Sequence, residues 1–181
     1  MQAARELCVS TLCRLLLLSL PLLAGAVACE GESALQASLQ APAMEISATD
    51  AMKQLRFRVE ARTSAAVIEG VVRVVVRPEH SGSDSPQEGQ VRVTVYRGPD
   101  AVADPAPSND IVACAAPGPV EVAKDALQGC DGSCSESFVV VFAAEGLGGS
   151  PVALPVFVEA EVFYPYAGPP PAGDFLRLTL Q

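Results

Sequence analysis

Leu55-Arg56-Phe57-Arg58-Val59-Glu60-Ala61-Arg62 alternates apolar and charged residues without a slip. A period of two belongs to a strand with one buried and one wet face, because successive side chains of a pleated chain point to opposite sides. The same period recurs at Ile68, Gly70, Val72, Val74 and Val76, opposed by Glu69, Arg73 and Arg77 and ended by Pro78. It recurs again at Val91, Val93 and Val95 against Arg92, Thr94 and Tyr96. Runs at Ile111 to Ala115, Phe138 to Ala144, Val152 to Tyr164 and Phe175 to Leu180 bring the expected number of strands to about seven. Phe138-Val139-Val140-Val141-Phe142 is apolar on both faces and predicts a central strand covered on both sides. Pro155, which has no N–H to donate, predicts an edge or a bulge within the sixth run.

Segments rich in Gly, Pro, Ser and Asp separate these runs: His80 to Gly89, Gly98 to Asn109, Gly129 to Ser135, Gly146 to Pro151 and Pro165 to Gly173. No stretch sustains a 3.6-residue period, and only Asp125 to Gly129 leaves room for one helical turn. Short strands joined this way predict an all-β fold, an antiparallel β-sandwich over residues 51–181. An immunoglobulin-like arrangement of two sheets comes first, with a jelly roll or transthyretin-like sandwich as the alternative. The chain has no Trp, so the Cys, Trp, Cys hallmark of true immunoglobulin domains is missing. Half of the residues are apolar but only 5% are aromatic, which predicts a core of Val, Ala and other small side chains. Pro169-Pro170-Pro171 reads as a stiff extended connector.

Residues that carry chemistry are sparse. His80 is the only histidine; Ser81, Ser83, Asp84 and Ser85 surround it, but no G-x-S-x-G elbow supports a hydrolase. Asp100, Asp104 and Asp110 lack the ordered spacing of a calcium loop. Gly146-Leu147-Gly148-Gly149-Ser150 is followed by strand sequence, not by the helix N-terminus that a phosphate loop needs, and reads as a hairpin turn. Tyr96, Tyr164 and Tyr166 offer a weak sugar-stacking platform without Trp, and a carbohydrate-binding module would use Tyr164, Tyr166 and Phe175. The expectation is a protein that is not an enzyme, uses no cofactor and holds no metal, and that binds through loops or a sheet edge.

Six cysteines occur, at 8, 13, 29, 114, 130 and 134. In an oxidising compartment Cys114, Cys130 and Cys134 are the disulfide candidates. Cys114 with Cys130 is preferred to the local Cys130-Asp131-Gly132-Ser133-Cys134 loop, because a bridge between distant segments constrains the unfolded chain more. A zinc site from these thiols and His80 matches no strong ligand spacing.

Toward the N-terminus the composition changes. Arg5 and Arg14 precede the apolar run Leu15 to Leu23, and Ala24-Gly25-Ala26-Val27-Ala28 is a small-residue stretch, the three-part order of a signal peptide over residues 1–28. Leu15 to Ala28 is too short for a bilayer span of about 20 residues, and Pro21 interrupts it. Ala26-Val27-Ala28-Cys29 resembles the lipobox of bacterial lipoproteins, although Ala26 stands where that family prefers Leu and the stretch also satisfies the A-x-A rule of ordinary cleavage. The resemblance implies acylation of Cys29 and a membrane partner through that lipid, at a bacterial cell envelope. Glu30 after the cysteine then implies the outer membrane, and the alternative is a periplasmic or secreted protein. Residues 29–50 are expected to be a flexible tether, with Glu30 to Pro42 polar and lacking a sustained apolar face.

Loss of Arg5, Arg14 and Glu6 with the leader leaves 10 basic and 20 acidic residues of the 12 and 21 in the whole chain, a formal charge of −10. That balance excludes nucleic acid as a partner and leaves an envelope protein or glycan open. It also predicts that any membrane association comes from the covalent anchor and not from a basic patch.

Overall fold

The computed structural model describes residues 32–67, 69–80, 89–100, 104, 106–114, 119–148 and 151–181. Within them the protein is an all-β antiparallel sandwich of twelve strands: β1 (Glu32–Gln40), β2 (Met44–Ile46), β3 (Met52–Thr63), β4 (Glu69–Val76), β5 (Glu79–His80), β6 (Gln90–Arg97), β7 (Ser108–Ala113), β8 (Val120–Asp125), β9 (Gly132–Glu145), β10 (Val152–Leu154), β11 (Val156–Ala167) and β12 (Phe175–Leu180).

One layer is a five-stranded sheet in the order β12-β3-β9-β6-β7, and the other is a four-stranded sheet in the order β1-β11-β4-β8. A three-stranded sheet, β2-β10-β5, continues three of the four strands of the second layer past a break. Pro42, Pro78 and Pro155 fall at that break, one in each chain segment. A proline cannot donate to a ladder, so three at one level interrupt the sheet. The backbone still crosses the joint, with Ala41 N–H donating to Val156 O at 2.9 Å and Arg77 N–H to Pro155 O at 3.2 Å.

The register turns the apolar half of each alternation inward. Leu55, Phe57, Val59 and Ala61 of β3 face Val140, Phe138, Glu136 and Cys134 of β9, and β4 places Val72, Val74 and Val76 beside Ala160, Val158 and Val156 of β11. The resulting core is mostly valine, with Phe57, Phe138 and Phe142 fully buried and the rings of Phe57 and Phe138 stacked 5.3 Å apart. Close approach is built in at Gly70, where a Cβ would sit 2.1 Å from the carbonyl oxygen of Ala126. Gly89, at φ +109°, packs against the Gly146 backbone in the same way.

The central placement of Phe138 to Phe142 holds, since β9 lies third of five, and so does the interruption at Pro155. Three expectations need correction. Among the described residues there are twelve strands, not about seven, partly because β8 over Val120-Glu121-Val122-Ala123-Lys124-Asp125 lies in sequence with no expected strand. Asp125 to Gly129 forms no helix; Leu127 there takes φ +53° in a turn. Residues 32–40, expected within the flexible tether, are strand β1, paired with β11 from Ala34↔Phe163 to Gln40↔Phe157. Leu35, Ala37 and Leu39 alternate inward against Gln36, Ser38 and Gln40, and the inner set packs against the core. The pairs β3 with β12, β4 with β11 and β6 with β9 are nested in sequence, the connectivity of a long hairpin folded on itself. That nesting is the feature shared with the jelly-roll alternative.

Candidate interaction surface

Because β-strand side chains alternate, the register also assigns the residues that face away from the core. On the five-stranded sheet the outward set includes Arg56, Arg58 and Arg62 of β3, Arg177 of β12 and Arg92 of β6. Only Glu60 and Glu145 oppose them among the described strand residues of that face. Ser133, Ser135 and Ser137 of β9 lie directly beside Arg62, Glu60 and Arg58. Phe175 pairs with Arg62 across the β12–β3 ladder and is 40% exposed, with the Arg177 guanidinium 5.5 Å from its ring centroid. Arg92 bridges Glu145 at 3.1 Å, and the bonds from Gln90 and Arg92 hold the Glu145 carboxyl below the usual carboxylate range. Arg56 donates to the Pro99 carbonyl at 3.1 Å.

The outer face of the four-stranded sheet has the opposite sign. Glu69, Glu121, Asp125, Glu159 and Glu161 point outward there with Arg73, which bridges Glu161 at 3.1 Å and Glu121 at 3.3 Å. Among the described strand residues the outer faces of the two sheets therefore differ in sign, arginines outnumbering acids on one and acids outnumbering Arg73 on the other.

Two polar clusters are structural. Asp104 has a side chain 6% exposed and bridges Lys124 at 2.8 Å. It also accepts the N–H groups of Arg97 at 2.7 Å and Ala106 at 2.9 Å. Burial alone would raise its pKa, but these donors and the Lys124 charge together lower it to about 2. Arg97 Nε and Glu136 Oε2 stand 3.7 Å apart as a half-buried ion pair without a hydrogen bond. In the second cluster Tyr164 Oη donates to Asp174 at 2.8 Å, and the backbone N–H and hydroxyl of Ser64 donate to the same oxygen at 3.0 and 3.1 Å. Burial opposes ionisation of Asp174 as well, yet those donors and the Arg62 charge keep its pKa below normal.

These clusters relocate most of the residues singled out in the sequence. Asp104 is occupied by Lys124 and two amides, and the Asp110 carboxylate accepts the Ile111 N–H at 2.7 Å; among the described residues no three His, Cys, Asp or Glu side chains are grouped to hold a metal ion. Tyr164 is buried and bonded inward, which removes it from any sugar-stacking platform; Phe175 is exposed, and the Tyr166 side chain lies outside the described residues. The disulfide joins Cys130 and Cys134, correcting the preference for Cys114 with Cys130. Gly132, at φ +83°, supplies the turn that brings the two sulfurs together. Cys114 stands outside the bridge, buried, with its thiol pKa raised by that burial. Two of the three thiols considered for zinc are thus consumed. Backbone pairing puts His80 in β5, opposite Val152, and its side chain lies outside the described residues, as do Ser81, Ser83, Asp84, Ser85 and Cys29.

The chain matches no protein-family model, no curated protein and no solved structure.

The arginine face is what sequence reasoning missed. Its signal was present in Arg56, Arg58 and Arg62, the wet half of the alternation that opens the fold. Strand pairing is what adds Arg177 and Arg92 to the same surface.

Proposed function

We propose that this is a non-enzymatic, exported cell-envelope lipoprotein of bacterial type whose β-sandwich serves binding or structure. The observation that carries the reading is the junction Ala26-Val27-Ala28-Cys29 behind a charged and then apolar leader. Support comes from the Cys130–Cys134 disulfide, a bond that persists in oxidising compartments. Further support comes from the use of the buried polar residues: Asp104, Lys124, Asp174 and Tyr164 satisfy one another and the backbone, leaving no activated nucleophile and base among them.

A second reading, a secreted protein without lipid, is favoured by Ala26-Val27-Ala28 itself, which fits ordinary signal cleavage before Cys29. Intact-mass analysis of the protein from its own cell envelope separates the two. A diacylglyceryl-modified amino-terminal Cys29 supports the lipoprotein. A plain amino-terminal Cys29 supports the secreted form, and an uncleaved chain contradicts both.

A further inference from the structure

We infer that the arginine face of the five-stranded sheet rests on an anionic phospholipid bilayer, an inference that depends on the reading of Cys29 as the acylated residue. The first observation is the length of chain that precedes the fold. Cys29 is three residues from Glu32, where β1 begins, and three residues span at most about 10 Å. An acyl chain on Cys29 therefore holds the start of β1 at the membrane, with no spacer to lift the domain away.

The second observation is which part of the sandwich lies there. Ala34 pairs with Phe163, the neighbour of Tyr164, whose hydroxyl is bonded to Asp174, the residue before β12 (Phe175–Leu180). The start of β1 and the start of β12 thus share one end of the sandwich, and the two strands are in contact. Phe175, Arg62 and Arg177 sit at that end, with Arg58 and Arg56 following along β3.

Charge complementarity fixes the occupant. A negative bilayer surface attracts the side carrying Arg56, Arg58, Arg62, Arg92 and Arg177 and repels the side carrying Glu69, Glu121, Asp125, Glu159 and Glu161. The orientation is thereby decided even though the whole chain is acidic, contrary to the expectation, drawn from net charge, that no basic patch contributes to membrane association. Guanidinium groups bind phosphate in a bidentate manner, Ser133 and Ser135 add exposed hydroxyls beside them, and Phe175 supplies an aromatic edge of the kind that settles at headgroup depth. A second copy is the less fitting occupant. Stacking this face on itself would set Arg56, Arg58, Arg62, Arg92 and Arg177 of one copy against the same like charges of the other.

The test uses the mature chain with Cys29→Ser, so that binding owes nothing to lipid. It is floated with vesicles of equimolar phosphatidylglycerol and phosphatidylcholine, and with phosphatidylcholine alone. Binding is expected to the anionic vesicles only, and to vanish at 0.5 M salt, a concentration at which screening is short-ranged. Arg62→Glu with Arg177→Glu is expected to weaken it by more than tenfold, since each arginine near such a surface contributes roughly fivefold. Circular dichroism confirms that the variant is folded. A Glu159→Gln variant on the opposite face should bind as the parent does. Failure to float with anionic vesicles, equal binding to both lipids, or no effect of the double reversal overturns the inference. So does retention on a soluble acidic polysaccharide without vesicle binding, or a salt-sensitive dimer that the same reversal dissolves. Intact mass at Cys29 reports the underlying reading separately: a plain Cys29 beside salt-sensitive flotation removes the anchor and leaves the bilayer contact standing.

Discussion

Replacing Asp104 with Asn keeps the shape of the side chain and removes its charge, and the consequences can be worked out from its surroundings. Asp104 is lowered from an ordinary pKa of roughly 3.9 to about 2. Nearly two units, at 1.36 kcal/mol each, correspond to about 2.5 kcal/mol. With side chains 6% and 11% exposed, Asp104 and Lys124 are largely shielded, and allowing for residual solvent screening leaves about 1 to 2 kcal/mol. The sign follows from linkage. A carboxyl whose folded pKa is depressed contributes stability that is complete above its unfolded pKa and disappears as the pH falls through its folded one. For Asp104 the window runs from about pH 4 down to about pH 2. Urea unfolding of parent and Asp104→Asn should therefore differ by about 1 to 2 kcal/mol at pH 7, and the difference should shrink to a few tenths of a kcal/mol by about pH 2. Two curves that stay parallel from pH 7 to pH 2 would refute the assignment of Asp104 as the charged partner of Lys124.

Phe138→Ala removes a fully buried ring stacked on Phe57 and should cost about 3 to 5 kcal/mol, read as a drop in the urea midpoint; a loss below 1 kcal/mol would place the ring outside the core. Gly70→Val drives a side chain into the Ala126 carbonyl and should prevent stable folding, whereas Val71→Thr on the neighbouring outward position should be tolerated. The Cys130–Cys134 bond closes only a short loop, with a separation of four, so reducing it should cost only about 2 kcal/mol and leave the circular dichroism spectrum unchanged. Thiol-specific alkylation of the native protein should be slow at Cys114, whose thiol is buried and kept protonated.

Strands with β-branched interiors were legible in the sequence. Phe57, Val59, Val72, Val74, Val93 and Val95 are all buried where their alternation places them, because a half-buried strand has no other way to hide one side. β1 was not legible, since Leu35, Ala37 and Leu39 are interspersed with Ser and Gln, residues equally at home in a solvated linker. Its strand state comes from pairing with β11, a partner more than a hundred residues away. β8 escaped for a related reason: Val120 and Val122 give only two clear inward positions. The disulfide was misjudged because loop entropy favours distant cysteines in general, whereas Gly132 in this chain closes the short loop. Of the candidate surface, the β3 arginines were readable as a wet face, but net charge averaged over the chain concealed that the wet faces of the two sheets differ in sign.

Amide hydrogen exchange across residues 32–40 tests the central claim, that the sandwich begins three residues after Cys29. Protection at Leu35, Ala37 and Leu39 matching that of their partners Val162, Ala160 and Val158 is the expected result. Exchange at the unprotected rate throughout residues 32–40, with β11 still protected on its β4 side, would return the segment to a tether and contradict both the fold given to it and the membrane contact inferred from it.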